Sequence, residues 1–98
     1  MKLKINNKVV PVEIMDTPEK IGSGMMGRDH LEGGMLFLFD EPDERSFWMK
    51  NCLIPLDIIF ITGNKITKVH KNCEPCITEP CESYTGFADK VLELPSKN

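Results

Sequence analysis

Polar and apolar residues alternate through Lys2-Leu3-Lys4-Ile5, as they do in a strand with one face in water. Asn6-Asn7 follows, a pair tolerant of positive φ and suited to a tight turn. Val9, Val10, Val12 and Ile14 then restore β-branched character, with Pro11 marking an edge position or a bulge. The pattern predicts a hairpin over 1–14. The period then changes. Asp16-Thr17-Pro18-Glu19 combines a capping side chain, a proline for the first helical position and an acid for the first turn. Thr17 is the expected cap, with Asp16 as competitor. The helix should be short, because Gly22, Gly24 and Gly27 each cost roughly 1 kcal/mol relative to alanine inside a helix. Ile21, Met25 and Met26 form its expected buried face, and 28–32 is expected to add one turn before Gly33-Gly34 ends it.

Strand character returns with Met35-Leu36-Phe37-Leu38-Phe39, a continuous apolar run expected to be covered on both faces. Residues 40–44 read as an acidic loop, 45–50 as the next strand, and 53–56 as a connection with buried anchors. Asp57 to Thr62, then Gly63-Asn64, then Lys65 to His70 is the clearest hairpin in the chain. Residues 71–86 read as turn-rich, and Val91-Leu92-Glu93-Leu94 as a closing strand. There is no repeat, low-complexity tract or linker. The expected fold is mainly β: a small, mostly antiparallel barrel or sandwich with one short helix in the N-terminal half, as a single domain over 1–98.

Composition narrows the function classes. At 98 residues the chain has room for one hydrophobic core. A formal charge of −3, with scattered lysines and arginines, argues against a nucleic-acid partner, which requires clustered basic residues. No apolar run has the length of a membrane span, and residues 1–7 lack the apolar core of a signal peptide. A soluble monomer is expected, cytoplasmic if Met1 is the native start.

Candidate chemistry concentrates in three places. In a strand, Phe47 and Met49 share one face while Trp48 and Lys50 share the other. An indole beside Lys50 and Asn51 is a way to build a shallow sugar or small-anion site. The bland alternative is that Trp48 covers an apolar edge and the Lys50 stem packs over it. Arg28 and Asp57 are lone charges beside apolar residues. They are expected either to pair, fixing the helix against a strand, or to leave Arg28 as an anchor for an anionic ligand. The third place is His70-x2-Cys73-x2-Cys76-x4-Cys81. Its thiolates could converge on zinc with His70 or Cys52 as a fourth ligand, although the spacing is not a complete zinc signature and a knuckle lacks its ligand beyond Cys81. Reduced, inert thiols and a local disulfide remain the alternatives. A redox role for Cys73-Glu74-Pro75-Cys76 lacks the helix N-terminus that lowers a thiol pKa. No serine elbow, metalloprotease spacing or specific carboxylate pair is present, and the methionines read as core fillers.

Three segments together resemble one family. Met25-Met26-Gly27-Arg28 is similar to its "LMGR" element, residues 34–39 to its "GMLFVF", and residues 47–60 to its "FWMKNTLIPLDIIF". This is the bacterial and phage family numbered 192 among the domains of unknown function. The resemblance runs from Val12 to Leu94. Cys52 departs from it, standing where threonine is usual, as do Gly22 and Gly24. The resemblance implies a compact β-rich fold, and many relatives carry signal peptides, so export is the alternative location. A Cys76–Cys81 disulfide fits the secreted members. The family implies no biochemical activity.

The leading expectation is thus a non-enzymatic domain that binds a small ligand, carbohydrate first, through Met26, Arg28, Trp48, Lys50, Asn51 and Asp57. No cofactor is required by it. A metal- or redox-responsive module built on Cys73, Cys76 and Cys81, with zinc as its metal, is the second expectation. A protein–protein assembly component is the third.

Overall fold

The structure, a computed structural model, describes residues 1–5 and 7–97. The predicted first hairpin forms from β1 (Lys2–Ile5) and β2 (Lys8–Met15), paired antiparallel with Ile5 opposite Lys8. Of the two turn asparagines, Asn7 adopts φ +68°, and Asn6 lies outside the described residues. Thr17 caps α1 (Pro18–Ser23), its Oγ1 accepting from the Lys20 N–H at 3.2 Å. No second turn forms over 28–32, contrary to expectation. Gly24 and Gly27 sit at φ +45° and +75°, in left-handed backbone that ends the helical path. The Gly27 N–H is then taken by the Asn51 carbonyl at 2.8 Å instead of a helical partner.

β3 (Gly34–Trp48) runs straight through the expected acidic loop. Its pairing with β6 (Ser83–Pro95) shifts between Leu38, opposite Lys90, and Asp43, opposite Ala88, so the extra residues around Pro42 form a bulge inside one long strand. β6 is likewise longer than its predicted last four residues. Its first half lacks apolar continuity and gains its strand geometry from β3. β4 (Leu56–Thr62) and β5 (Lys65–Cys73) form the expected hairpin around Gly63-Asn64. The six strands make one mixed sheet in the order β1-β2-β3-β6-β4-β5. Only β2–β3 is parallel, and α1 lies in that crossover.

Register sorts the side chains onto two faces. On the first, Glu13, Met35, Glu93 and Ile58 form one row across β2, β3, β6 and β4, and Met15, Phe37, Val91 and Phe60 form the next. Met25, Leu31, Met49, Cys52 and Leu56 close over these rows to make the main core. On the second face Val12, Leu36 and Leu92 are buried among half-buried Ile14, Leu38, Ile59, Ile61 and Leu94.

The mainly β class and the single short helix are as the sequence predicts; the sheet is not closed into a barrel. It curls toward closure. The first half of β6 bends over the main core until a Cβ on Gly86 would meet the Phe60 side chain at 2.6 Å. Side chains then join it to the far hairpin. Thr62 and Thr67 donate to the Phe87 carbonyl at 2.9 and 2.6 Å, and His70 Nε2 donates to the Thr85 carbonyl at 2.9 Å. No helix among the described residues is long and apolar enough to cross a membrane.

Candidate functional site

The arching of β3 and β6 over the first face leaves a cleft of about 420 Å³ against α1 and the glycine turn after it. Ile21 to Met26 form one wall. Phe39 and the stretch from Glu44 to Trp48 form the other, and Phe37, Cys52 and Glu93 lie at the floor. The aromatic wall is organised edge to face. Phe47 meets Phe37 at 5.0 Å, Phe60 at 5.8 Å and Phe39 at 6.5 Å between ring centroids, with interplanar angles of 81–84°.

Glu93 is the unusual member. It occupies a central position of the sheet between Met35 and Ile58, is 4% exposed, and makes no hydrogen bond or ion pair among the described residues. Burial pushes its carboxyl up to about 7. The neighbouring Cys52 thiol is pushed up to about 11, by burial first and by the Glu93 charge second. Cys52 is therefore a neutral thiol at neutral pH, and Glu93 is the one group in the floor that changes charge there.

The residues singled out from the sequence do not gather on one surface. Met26 and Trp48 line this cleft, with the indole 43% exposed at its rim. The expected alternation holds, since Phe47 and Met49 join the core while Trp48 and Lys50 face outward. Lys50 Nζ lies 5.7 Å from the centre of the Trp48 ring and forms an ion pair with Glu79. Asn51 is a backbone joint at φ +58°: its N–H donates to the Cys76 carbonyl at 2.9 Å and its carbonyl receives Gly27.

The expected Arg28–Asp57 pair does not form. Arg28 Nη1 instead pairs with Glu13 at 3.0 Å, in a half-exposed contact worth little. Register is the reason. Arg28 follows the helix that covers the first face, which Glu13 shares, whereas Asp57 stands opposite Leu94 on the second face. There Asp57 accepts the Asn72 N–H at 2.9 Å and borders a separate cleft with Lys8, Lys71 and Lys97.

The cysteines divide into two kinds. Cys76 and Cys81 form a disulfide on the turn before β6, and Cys52 and Cys73 are buried free thiols. Cys73 is held up at about 11, chiefly by burial and then by Asp57 and Glu93, and its Sγ donates to the His70 carbonyl at 3.5 Å. His70 spends its ring N–H on the Thr85 carbonyl. Among the described residues no three His, Cys, Asp or Glu side chains gather as a metal-binding group.

Sequence reasoning missed Glu93 and the phenylalanine wall. The signal for Glu93 was present in Val91-Leu92-Glu93-Leu94, a lone charge inside an apolar strand, which is the pattern that drew attention to Asp57.

Comparison with known proteins agrees with the fold. A protein of unknown function from Novosphingobium aromaticivorans is 35% identical with a TM-score of 0.78; the match covers 91% of this chain and 65% of that one. A protein from Sinorhizobium meliloti described as a "putative transcription regulator" is 33% identical with a TM-score of 0.79, over 91% of this chain and 70% of that one. This chain thus spans about two thirds of the length of each. No curated protein matches it. The sequence model of DUF192, described as "Uncharacterized ACR", matches residues 1–98, and the chain belongs to that family.

Proposed function

We propose that this protein is a binding module for a small ligand with a mainly apolar body, and that the cleft over Glu93 is its site. The observation that carries this reading is Glu93 itself. The residue is 4% exposed and its carboxyl has no hydrogen-bond partner among the described residues, yet no side-chain oxygen there is wholly sealed from solvent without a partner, so the carboxyl keeps contact with the cleft, where a ligand can reach it. Around it aromatic and thioether side chains alternate with Ser23, Glu44, Arg45 and Ser46, as in sites that hold an apolar body and orient it by a few polar contacts. Binding is favoured over catalysis because the other reactive group in the floor, Cys52, is a protonated thiol.

The aromatic cluster of Phe37, Phe39 and Phe47 favours an apolar body over carbohydrate, whose hydroxyls each need a partner. Trp48 stays in the reading as a rim residue. Any export of the protein would suit the Cys76–Cys81 bridge, which persists in oxidising compartments.

Trp48 is the single tryptophan and reports directly on the rim. Its fluorescence is expected to change on titration with a subset of small aromatic and aliphatic compounds, and to stay flat across a sugar panel. Response to sugars alone overturns the apolar-ligand reading in favour of carbohydrate, and no response to either class removes the cleft as a site.

A further inference from the structure

We infer that the polar end of the ligand is a cation, an ammonium or amidinium group carried on an apolar body and seated against Glu93. This rests on the cleft being the binding site and goes on to name the class of ligand. The charges around the cleft favour it. Glu44 and Glu93 are its two acids, and Glu44 forms no ion pair among the described residues. Arg45, the one base in the lining, is already engaged. Its Nε donates to the Ala88 carbonyl at 3.2 Å, its Nη2 to the Glu41 carbonyl, and its guanidinium stacks 4.0 Å from the Phe39 centroid. Arg45 keeps its charge but is held to the wall by these contacts, so an anionic ligand would meet two carboxyls against one guanidinium.

The walls point the same way. Two rings of the cleft, Phe39 and Trp48, already draw cations of the protein itself, Arg45 and Lys50, to their faces. Aromatic faces attract cations through their quadrupole, and a desolvated carboxylate behind them completes the arrangement. A neutral donor reaching Glu93 would also favour the ionised carboxylate, but without the attraction between opposite charges, so its pH dependence would be the weaker one.

Seating a cation has a proton consequence. Besides Glu44 and Arg45 on β3, the titratable groups on the face of Glu93 are Cys52 from the connection after β3, Cys73 from the end of β5 and, beyond Met35 in the same row, Glu13 in its pair with Arg28. Both thiols stay protonated through neutral pH. Met35 and Ile58, its register neighbours on β3 and β4, do not titrate, and α1 contributes only Ile21, Gly22 and Ser23 to the lining. Glu93 thus governs the neutral range. With its carboxyl near 7, the ionised fraction rises from about one tenth at pH 6 to about nine tenths at pH 8, and cation affinity rises about tenfold with it.

The test is calorimetric titration of the intact protein at pH 6, 7 and 8 with benzylammonium, benzyl alcohol and benzoate. Benzylammonium is expected to bind tightest, to tighten about tenfold between pH 6 and pH 8, and to release a proton that scales the heat with buffer ionisation enthalpy. Glu93→Gln should remove both the preference and the pH dependence. Should that variant not fold, carbon-detected titration of the wild-type Glu93 carboxyl provides the readout, with its midpoint falling when benzylammonium is present. Equal or tighter binding of the alcohol or benzoate in the cleft, with no pH dependence, overturns the cation inference and leaves the cleft a binding site. If no member of the series binds there, the inference fails, and the wider compound screen decides the cleft separately.

Discussion

On one face of the sheet, Met35, Phe37, Ile58, Phe60 and Val91 are sealed beneath α1, the connection after β3 and the bent half of β6. On the other, three buried residues are bordered by half-buried isoleucines and leucines. The covered face also holds the cleft and the buried acid. The two facts are connected, because the arch of β3 and β6 walls this cleft with aromatic rings, whereas the cleft beside Asp57 is bordered by lysines. A partnerless carboxyl is tolerated where surrounding burial offsets its desolvation. The open face has Asp57 instead, with a backbone N–H to hold it.

This contrast is sharpest at Phe60 and its neighbour Ile59, which point to opposite faces of β4. Phe60→Ala is expected to cost about 3–5 kcal/mol, read as a lowered urea midpoint at unchanged m-value. Glu93→Gln should act in the other direction and depend on pH. The Glu93 carboxyl has an ordinary value of 4.5 and a folded value of about 7. Between these the folded protein keeps a proton that the unfolded chain releases, so stability falls as pH rises. It is unaffected below 4.5 and fully diminished above 7, by about 3 kcal/mol in total from this group. The difference in unfolding free energy between wild type and Glu93→Gln, followed from pH 4 to 8, should show that fall; a flat difference would contradict the burial of the charge.

Gly86→Ala follows, at about 1–3 kcal/mol, because its methyl group meets Phe60 and forces the bent strand outward. Thermal unfolding would register it, and the variant should also perturb Trp48 emission, since β3 moves with β6. Ile59→Ala is the smallest change, about 1 kcal/mol for a half-buried side chain. Equal losses for Ile59→Ala and Phe60→Ala would erase the distinction between the faces.

The parts of this molecule that were legible in the sequence are those set by neighbours along the chain. Thr17-Pro18 starts a helix, Gly63-Asn64 turns a hairpin, and Phe47 and Met49 turn inward, all from local pattern. What escaped was set by distant partners. Residues 40–44 look like a loop because 40–42 bulge out of register and only Asp43 and Glu44 regain β6 partners, and 83–88 look irregular because their geometry is imposed by β3. The Arg28–Asp57 pair failed for the same reason: strand parity was readable, but which face each strand turned toward the helix was fixed by sheet order. The candidate site suffered most. Trp48 and Met26 were found as conspicuous residues, while Glu93 carried the signal of a lone charge in an apolar strand, and what α1 and the bend in β6 enclose shows which face it occupies.

The side chains of Thr62, Thr67 and His70 fasten the arch to the far hairpin through the Phe87 and Thr85 carbonyls. A strand-to-strand seam would have locked this edge with a full ladder. Three latches of this kind contribute about 0.5–1.5 kcal/mol each. Beneath them Phe47 packs edge to face on Phe37 and Phe60, and Gly86 lies against Phe60. The roof of the cleft is therefore held by ring packing as well as by side-chain hydrogen bonds, and the sheet curls toward closure without a sixth strand pairing among the described residues.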